Sequence, residues 1–207
     1  MSEADQLQRG IAALGLALDA ATQQRLLAYI ALIDKWNKVY NLTAIREPEK
    51  MVSHHLLDCL AVVAHIQGKS LLDVGSGAGL PGIPLALALR DTHVTLLDSN
   101  HKKVAFLKQA VIELDLKNVE VCSERVESWV APRKFDVIIS RAFSDLAEFV
   151  RLTRHLIAAG GVFAAMKGLN PHEEIDKLPE GCKALQVMPL QVPGLDAGRH
   201  LVLVEVR

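Results

Sequence analysis

Leu71-Leu72-Asp73-Val74-Gly75-Ser76-Gly77-Ala78-Gly79-Leu80-Pro81-Gly82 is an apolar run that breaks into a glycine-rich turn. A helical segment at 84–89 follows it. Glycines at such a turn let the backbone bend sharply and approach a ligand, and the N–H groups opening the next helix attract negative groups. Gly77, Gly79 and Gly82 fit the spacing G-x-G-x-x-G, so a dinucleotide site is one reading and a tight structural connection is another. The strand–turn–helix context favours a ligand site.

From this loop the pattern extends in both directions. Downstream, short apolar runs at Ser70–Val74, His93–Leu97, Val119–Cys122, Phe135–Ser140 and 162–166 alternate with helical segments at 84–89, 102–114 and 145–159. Near-continuous apolar strands between helices predict a parallel sheet covered on both faces. The last two runs, 184–192 and His200–Val206, are joined by Pro193-Gly194-Leu195-Asp196-Ala197-Gly198, too short for a crossover helix. They are expected to close the sheet as an antiparallel hairpin. The result is a seven-stranded, mostly parallel α/β sheet.

Upstream the period is helical. Leu7, Ile11, Leu14 and Leu18 mark one helix, and Leu26, Ile30 and Ile33 a second with Asp19 as N-cap. A third is expected to start near Pro48, bury Val52, Leu56, Cys59 and Val63, and stop at Gly68. The expected domains are therefore a helical extension at 1–67 packed on a ligand-binding domain at 68–207.

With 207 residues, half of them hydrophobic and 23% charged, the chain is expected to build a packed core. No apolar run approaches the roughly 18 residues of a membrane span, and the acidic start lacks a signal design. Cys59, Cys122 and Cys182 form no C-x-x-C pair, which suits a reducing cytoplasm. The histidines are scattered and no metal site is expected. The net charge of −1 argues against binding nucleic acid by bulk electrostatics.

Two acids separate the ligand classes. Asp98 ends the second strand, where a carboxylate can accept from both hydroxyls of a ribose. NAD and S-adenosylmethionine both carry that ribose. Asp73, two residues before the first glycine, would repel a pyrophosphate and could pair with the ammonium of a methionine moiety. An acid capping the turn is the plainer alternative. Taken with the terminal hairpin, Asp73 favours S-adenosylmethionine over an NAD-linked oxidoreductase.

At this point a family is recognisable. Asp73 through Pro84 resembles the glycine loop of the RsmG/GidB family of bacterial methyltransferases, and Ile139-Ser140-Arg141-Ala142-Phe143 resembles its fourth-strand motif. Lys35-Trp36-Asn37-Lys38-Val39-Tyr40-Asn41-Leu42-Thr43 and Arg199-His200-Leu201-Val202 also match, so the likeness spans the chain. It implies a class I, Rossmann-like methyltransferase fold. It also implies methyl transfer from S-adenosylmethionine to guanine N7 in the decoding-site loop of 16S ribosomal RNA, by a cytoplasmic monomer acting on that RNA or the small subunit. By motif, the methionine end would lie at Gly75, Gly77 and Leu80, with Asp73 close by. Asp98 would hold the ribose, Val126 and Glu127 the adenine, and Arg141 would close the site. Arg125 and Arg199 resemble positions of the RNA-binding face, and Lys167, ending the fifth strand, stands at an edge analogous to that of Arg141. Cys59 stands where the family usually has serine.

Guanine N7 has a lone pair and no proton, so transfer from a sulfonium needs no general base. This agrees with the lack of a Ser/His/Asp or Cys/His constellation. Arg141 is the candidate for positioning the substrate, through guanine O6, a phosphate or stacking. Phe143 is expected in the core or as a stacking face. His55 and Asp58 are expected to pair and lock their helix to the sheet. A non-catalytic ribosome-assembly or RNA-binding module on the same fold is the remaining alternative, with a small-molecule methyltransferase behind it. Basic and acidic residues balance in both the first fifty positions and the rest. Any RNA affinity must therefore come from charge concentrated locally, with Arg125, Arg141, Lys167 and Arg199 as the candidates.

Overall fold

The computed structural model describes residues 1–141, 143, 145–168 and 171–206, with the side chain of Pro48 left aside. Ala142, within the fourth-strand motif, lies outside the described residues. The strands are β1 (Ser70–Val74), β2 (His93–Leu97), β3 (Val119–Cys122), β4 (Phe135–Ser140), β5 (Ile157–Lys167), β6 (Cys182–Pro189) and β7 (His200–Val206). They form one sheet in the order β3-β2-β1-β4-β5-β7-β6. The first five are parallel, and β7 inserts antiparallel between β5 and β6. From β1 the chain winds to one side through β2 and β3, then returns to the other side at β4. That reversal opens a crevice beyond the carboxyl ends of β1 and β4, where open α/β sheets bind ligands.

Strand alternation divides the core. Leu71, Val94, Leu96, Val137 and Ile139 face one layer, while Leu72, Val74, Leu97 and Ile138 face the other. The first layer holds α1 (Glu3–Ala13), α2 (Ala20–Tyr40), α5 (Gly82–Ala88) and α6 (His101–Glu113). The second is covered by α7 (Leu146–Thr153) with Phe149 and Phe163 at its centre.

The N-terminal helices share the first core without a break. Ser2 and Asp5 make a capping box on α1, and Asp19 caps α2 by accepting from the Thr22 N–H at 2.8 Å. Gly10 in α1 lies flush on Leu57, where a Cβ would come within 2.3 Å of Leu57 Cδ1. The buried Tyr29 of α2 donates its hydroxyl to the Ala78 carbonyl of the glycine loop. The helical extension thus braces the loop directly.

Three expected segments differ. The helix at 48–65 is not one α-helix: α3 (Pro48–Met51) and α4 (Asp58–Leu60) flank a π-helical stretch, Val52–Leu57. The wider turn rotates the stripe, so Val62 is fully buried and Val63 only half-buried. The helix expected over 145–159 gives way at Arg154–Leu156 to a 3-10 turn, and β5 begins at Ile157. Ile157 pairs with Phe135, and a bulge through Gly160 (φ +75°) re-aligns the chain so that Val162 pairs with Val137. The outer hairpin strand ends at Pro189, opposite His200, rather than at 192. A proline suits an edge-strand end, since it has no N–H to contribute to a ladder.

Candidate active site

Three cavities follow one another along the carboxyl edge of the sheet. The first, beyond β1 and β2, is lined by Gly75, Asp98, Arg125, Val126, Glu127 and Phe143 among others. The second lies over the glycine loop, bounded by Gly75, Gly77, Leu80, Thr43, Lys103 and Arg141. The third opens beyond β4, β5 and β7, with His55, Asp58, Arg141, Lys167 and Arg199 in its wall. Gly75 belongs to the first two, and Thr43 and Arg141 to the last two, so the three form one cleft.

The glycine loop is held from below and from the side. Gly75, Gly77 and Gly79 all have positive φ. A Cβ on Gly77 would stand in open space, with Gly75 O its nearest neighbour at 3.8 Å, so the missing side chain keeps the second cavity open. Gly82 is required for a different reason. A Cβ there would lie 2.2 Å from Leu96 Cδ2 and 2.7 Å from Asp73 Oδ2.

Asp98 accepts the Gly77 N–H through Oδ2 at 2.9 Å and the Asn100 N–H through Oδ1 at 2.8 Å. Its carboxylate straps the loop to the end of β2 and still faces the first cavity. A carboxylate has about four acceptor sites, so two remain for a diol. Asp73 takes the turn-capping place, the plainer of its two readings. By strand alternation it shares the face of Leu71, fully buried, and it lines none of the three cavities. Its Oδ2 accepts from the Gly82 N–H at 2.9 Å, capping the turn, while its buried Oδ1 has no partner. Burial pushes its pKa up to about 7, against the opposing pull of the Gly82 N–H, Ser76 and Arg141.

The third cavity is organised by Asp58. This residue, 2% exposed, directly follows the π-helical stretch. Its Oδ2 lies 3.3 Å from Arg141 Nη1, and its Oδ1 accepts from Arg199 Nε at 2.9 Å. Arg141 Nη1 also donates to the His54 carbonyl at 3.2 Å. One carboxylate from the N-terminal helices thus gathers two guanidiniums that leave β4 and enter β7. Lys167, at the end of β5, is buried and pairs with Glu174 at 2.7 Å. His55 does not pair with Asp58 as expected. Its Nε2 meets Thr43 Oγ1 at 3.0 Å, and burial, aided by Arg141, lowers its pKa to about 4, so it is neutral near pH 7. The π-helical geometry separates the roles of the two residues: His55 ties to the loop after α2, and Asp58 to the sheet.

The structure therefore brings Gly75, Asp98, Val126 and Glu127 together, with Arg125 beside them. It brings Arg141, Lys167 and Arg199 together in a separate cavity. Phe143 borders the first cavity and contacts Phe149 at a centroid distance of 5.4 Å. Sequence reasoning missed Thr43 and Lys103, and it missed that Asp58 holds two arginines. The sequence reading pairs Asp58 with His55, and nothing near it in the sequence names the two arginines. Among the described residues, no group of three or more His, Cys, Asp or Glu is placed to hold a metal. No helix of the described residues is long and apolar enough to cross a membrane.

A family model described as GidB, rRNA small subunit methyltransferase G, matches residues 22–202. The chain belongs to the GidB family. A ribosomal RNA small subunit methyltransferase G from Laribacter hongkongensis is 58% identical over 207 residues, covering 100% of both chains. Its counterpart from Chromobacterium violaceum is 56% identical over 198 residues, with 95% of each chain covered. The GidB chain also shares its fold with a SAM-dependent methyltransferase from Thiobacillus denitrificans solved with S-adenosyl-L-homocysteine. That structure has a TM-score of 0.55 at 15% identity, covering 85% of this chain and 98% of the other. The class I methyltransferase fold, with its terminal antiparallel hairpin, is thus the fold of this chain.

Proposed function

We propose that this GidB-family chain transfers a methyl group from S-adenosylmethionine to guanine N7 in the decoding-site loop of 16S ribosomal RNA. The observation that carries the reading is the joined cleft. A cavity over the glycine loop passes, through Arg141 and Thr43, into one walled by Arg141, Lys167 and Arg199. S-adenosylmethionine, when bound, supplies an electrophilic methyl group on a sulfonium.

The chain's own residues divide the remaining work. Asp98 offers its spare acceptor sites to the ribose hydroxyls, and Val126 and Glu127 border the adenine. Gly75, Gly77 and Leu80 border the methionine end. Asp73 supports that end from beneath, by fixing the Gly82 turn. Arg141 spans both cavities and directs the base, its guanidinium suited to guanine O6 or a phosphate. Because N7 carries no proton, orientation and exclusion of water are the contributions required, and no side chain needs to act as a base.

The test uses small subunits from a bacterial strain deleted for this gene. Purified protein and labelled cofactor should place one methyl on 16S RNA, and aniline cleavage followed by primer extension should stop at a decoding-loop guanine. Full N7 methylation of that guanine in the deletion strain would overturn the assignment. Calorimetry should show micromolar binding of S-adenosylhomocysteine and none of NAD.

A further inference from the structure

The cations first expected to face RNA are largely spoken for. Arg141 and Arg199 converge on Asp58, and Lys167 pairs with Glu174. Two carboxylates answer those three cations, leaving one positive charge over, and Arg125 is exposed beside the first cavity. A protein of net charge −1 that handles RNA gains from further unneutralised charge on the rim of the cleft.

Such charge stands where the end of α2 meets the start of α6. Lys35, Lys102 and Lys103 have no ion pair among the described residues, and Lys103 borders the cavity over the glycine loop. The two helices are joined here by rings. Trp36 packs edge-on against Phe106 at a centroid distance of 5.6 Å, and Phe106 lies one helical turn after Lys102 and Lys103. On the other side of Trp36, Tyr40 stacks with it at 5.2 Å and an interplanar angle of 29°. Tyr40 is 41% exposed and its neighbour Val39 is 71% exposed, an apolar and aromatic surface left uncovered among the described residues. Asp34 is the acid of this corner, and it is paired with Lys38 at 3.2 Å.

A solvent-facing ring, backed by a second ring and flanked by free lysines, has the chemistry of a single-stranded RNA platform. Unstacked bases lie on such rings while phosphates meet the cations, largely independent of sequence. We propose that the corner formed by Lys35, Tyr40, Lys102 and Lys103 is a docking surface for an unpaired segment of the substrate RNA flanking the target guanine, with one base stacked on Tyr40. This rests on the RNA-methyltransferase reading above and adds where the RNA lies. The platform borders the cleft through Lys103, so RNA seated there leads toward Arg141.

The experiment compares wild type with Tyr40→Ala, Tyr40→Phe and the double variant Lys35→Glu/Lys102→Glu, with Lys183→Glu on the outer strand β6 as a charge control. Binding to small subunits from the deletion strain is measured across a salt series, beside S-adenosylhomocysteine affinity and thermal midpoint. Tyr40→Ala should weaken RNA binding roughly tenfold, as loss of one base stack does, and Tyr40→Phe should restore it. The double variant should weaken binding and lower the salt slope by about one to two. Cofactor affinity should stay at the wild-type value, and the thermal midpoint should fall by no more than a few degrees in Tyr40→Ala, which loses the ring contact with Trp36. Wild-type RNA affinity and salt slope in all platform variants would overturn the proposal, as would an equal loss in Lys183→Glu. If wild type itself fails to methylate or bind the subunit, it is the RNA-methyltransferase reading that falls.

Discussion

The two ends of the cleft are built on different principles. The end at the glycine loop is local: residues 73–82 supply the turn and its glycines, Asp73 caps the Gly82 N–H, and Asp98 closes the loop by accepting the Gly77 N–H. The end beyond β4 is assembled from afar, with Asp58 joined by ion pairs to Arg141 and Arg199, far along the chain, and with Lys167 paired to Glu174 beside them. A local site depends on backbone conformation and is sensitive to a single methyl group. An assembled site depends on charge balance and is sensitive to the loss of one partner.

The largest expected effect is at the assembled end. Asp58→Ala leaves two half-buried guanidiniums side by side without their counter-charge, and breaking such a buried arrangement costs about 3–5 kcal/mol. Chemical denaturation should show that loss, and methylation of small subunits should fall at least a hundredfold. S-adenosylhomocysteine affinity of the folded fraction should change less than threefold, because Asp58 does not border the first cavity. Asp58→Asn keeps the volume and one acceptor, and should retain more stability while still losing activity. A comparable loss of cofactor affinity would show that the two ends are not separable.

At the local end, Asp98→Ala removes the acceptor for the Gly77 N–H together with the proposed ribose contact. Charge-assisted hydrogen bonds of this kind contribute about 1.5–3 kcal/mol each. Calorimetry should therefore show cofactor affinity falling ten- to a thousandfold, with the arginine pairing at Asp58 intact. Gly82→Ala should be next in size. Its methyl group would press on Leu96 and on Asp73 Oδ2, an overpacking that costs about 1–3 kcal/mol. Thermal melts of the ligand-free protein would read it, and an unchanged midpoint would mean that α5 can slide to make room.

The same contrast explains what the sequence could disclose. The bounds of β1 to β4 and of β7 follow from short apolar runs between turn residues, a signal carried within each segment. The glycine loop and Asp98 are legible for the same reason. The switch at Ile157 was not, because Arg154 to Ala159 is compatible with helix and only the pairing of Ile157 with Phe135 decides for strand. Nor was the partnership of Asp58 with Arg141 and Arg199. A π-helical stretch has no distinct apolar period, and nothing local states which distant cation an acid in a helix will meet. Asp73 shows how two readings of one acid divide. Its position beside the loop suits both a ligand contact and a turn cap, and the two-residue period of β1 turns it toward α5, where it caps the Gly82 N–H.

That placement gives an effect that is read by its sign. Burial raises the Asp73 pKa from 3.8 to about 7, so the folded state favours the protonated acid. The stabilising contribution is complete below pH 4, is lost as pH rises, and is gone above about 7. His55 works in the opposite sense: its pKa falls from 6.5 to about 4, so its contribution is present above pH 6.5 and is lost as pH falls toward 4. The two trends overlap in wild type and must be separated by substitution. Asp73→Asn retains an acceptor for the Gly82 N–H and removes one titration. Its stability relative to wild type should rise steadily between pH 4 and 7 and level off above that, in urea midpoints taken on ligand-free protein. Parallel curves would mean that Asp73 is ionised throughout this range, and the glycine loop would then rest on a full negative charge even at pH 5.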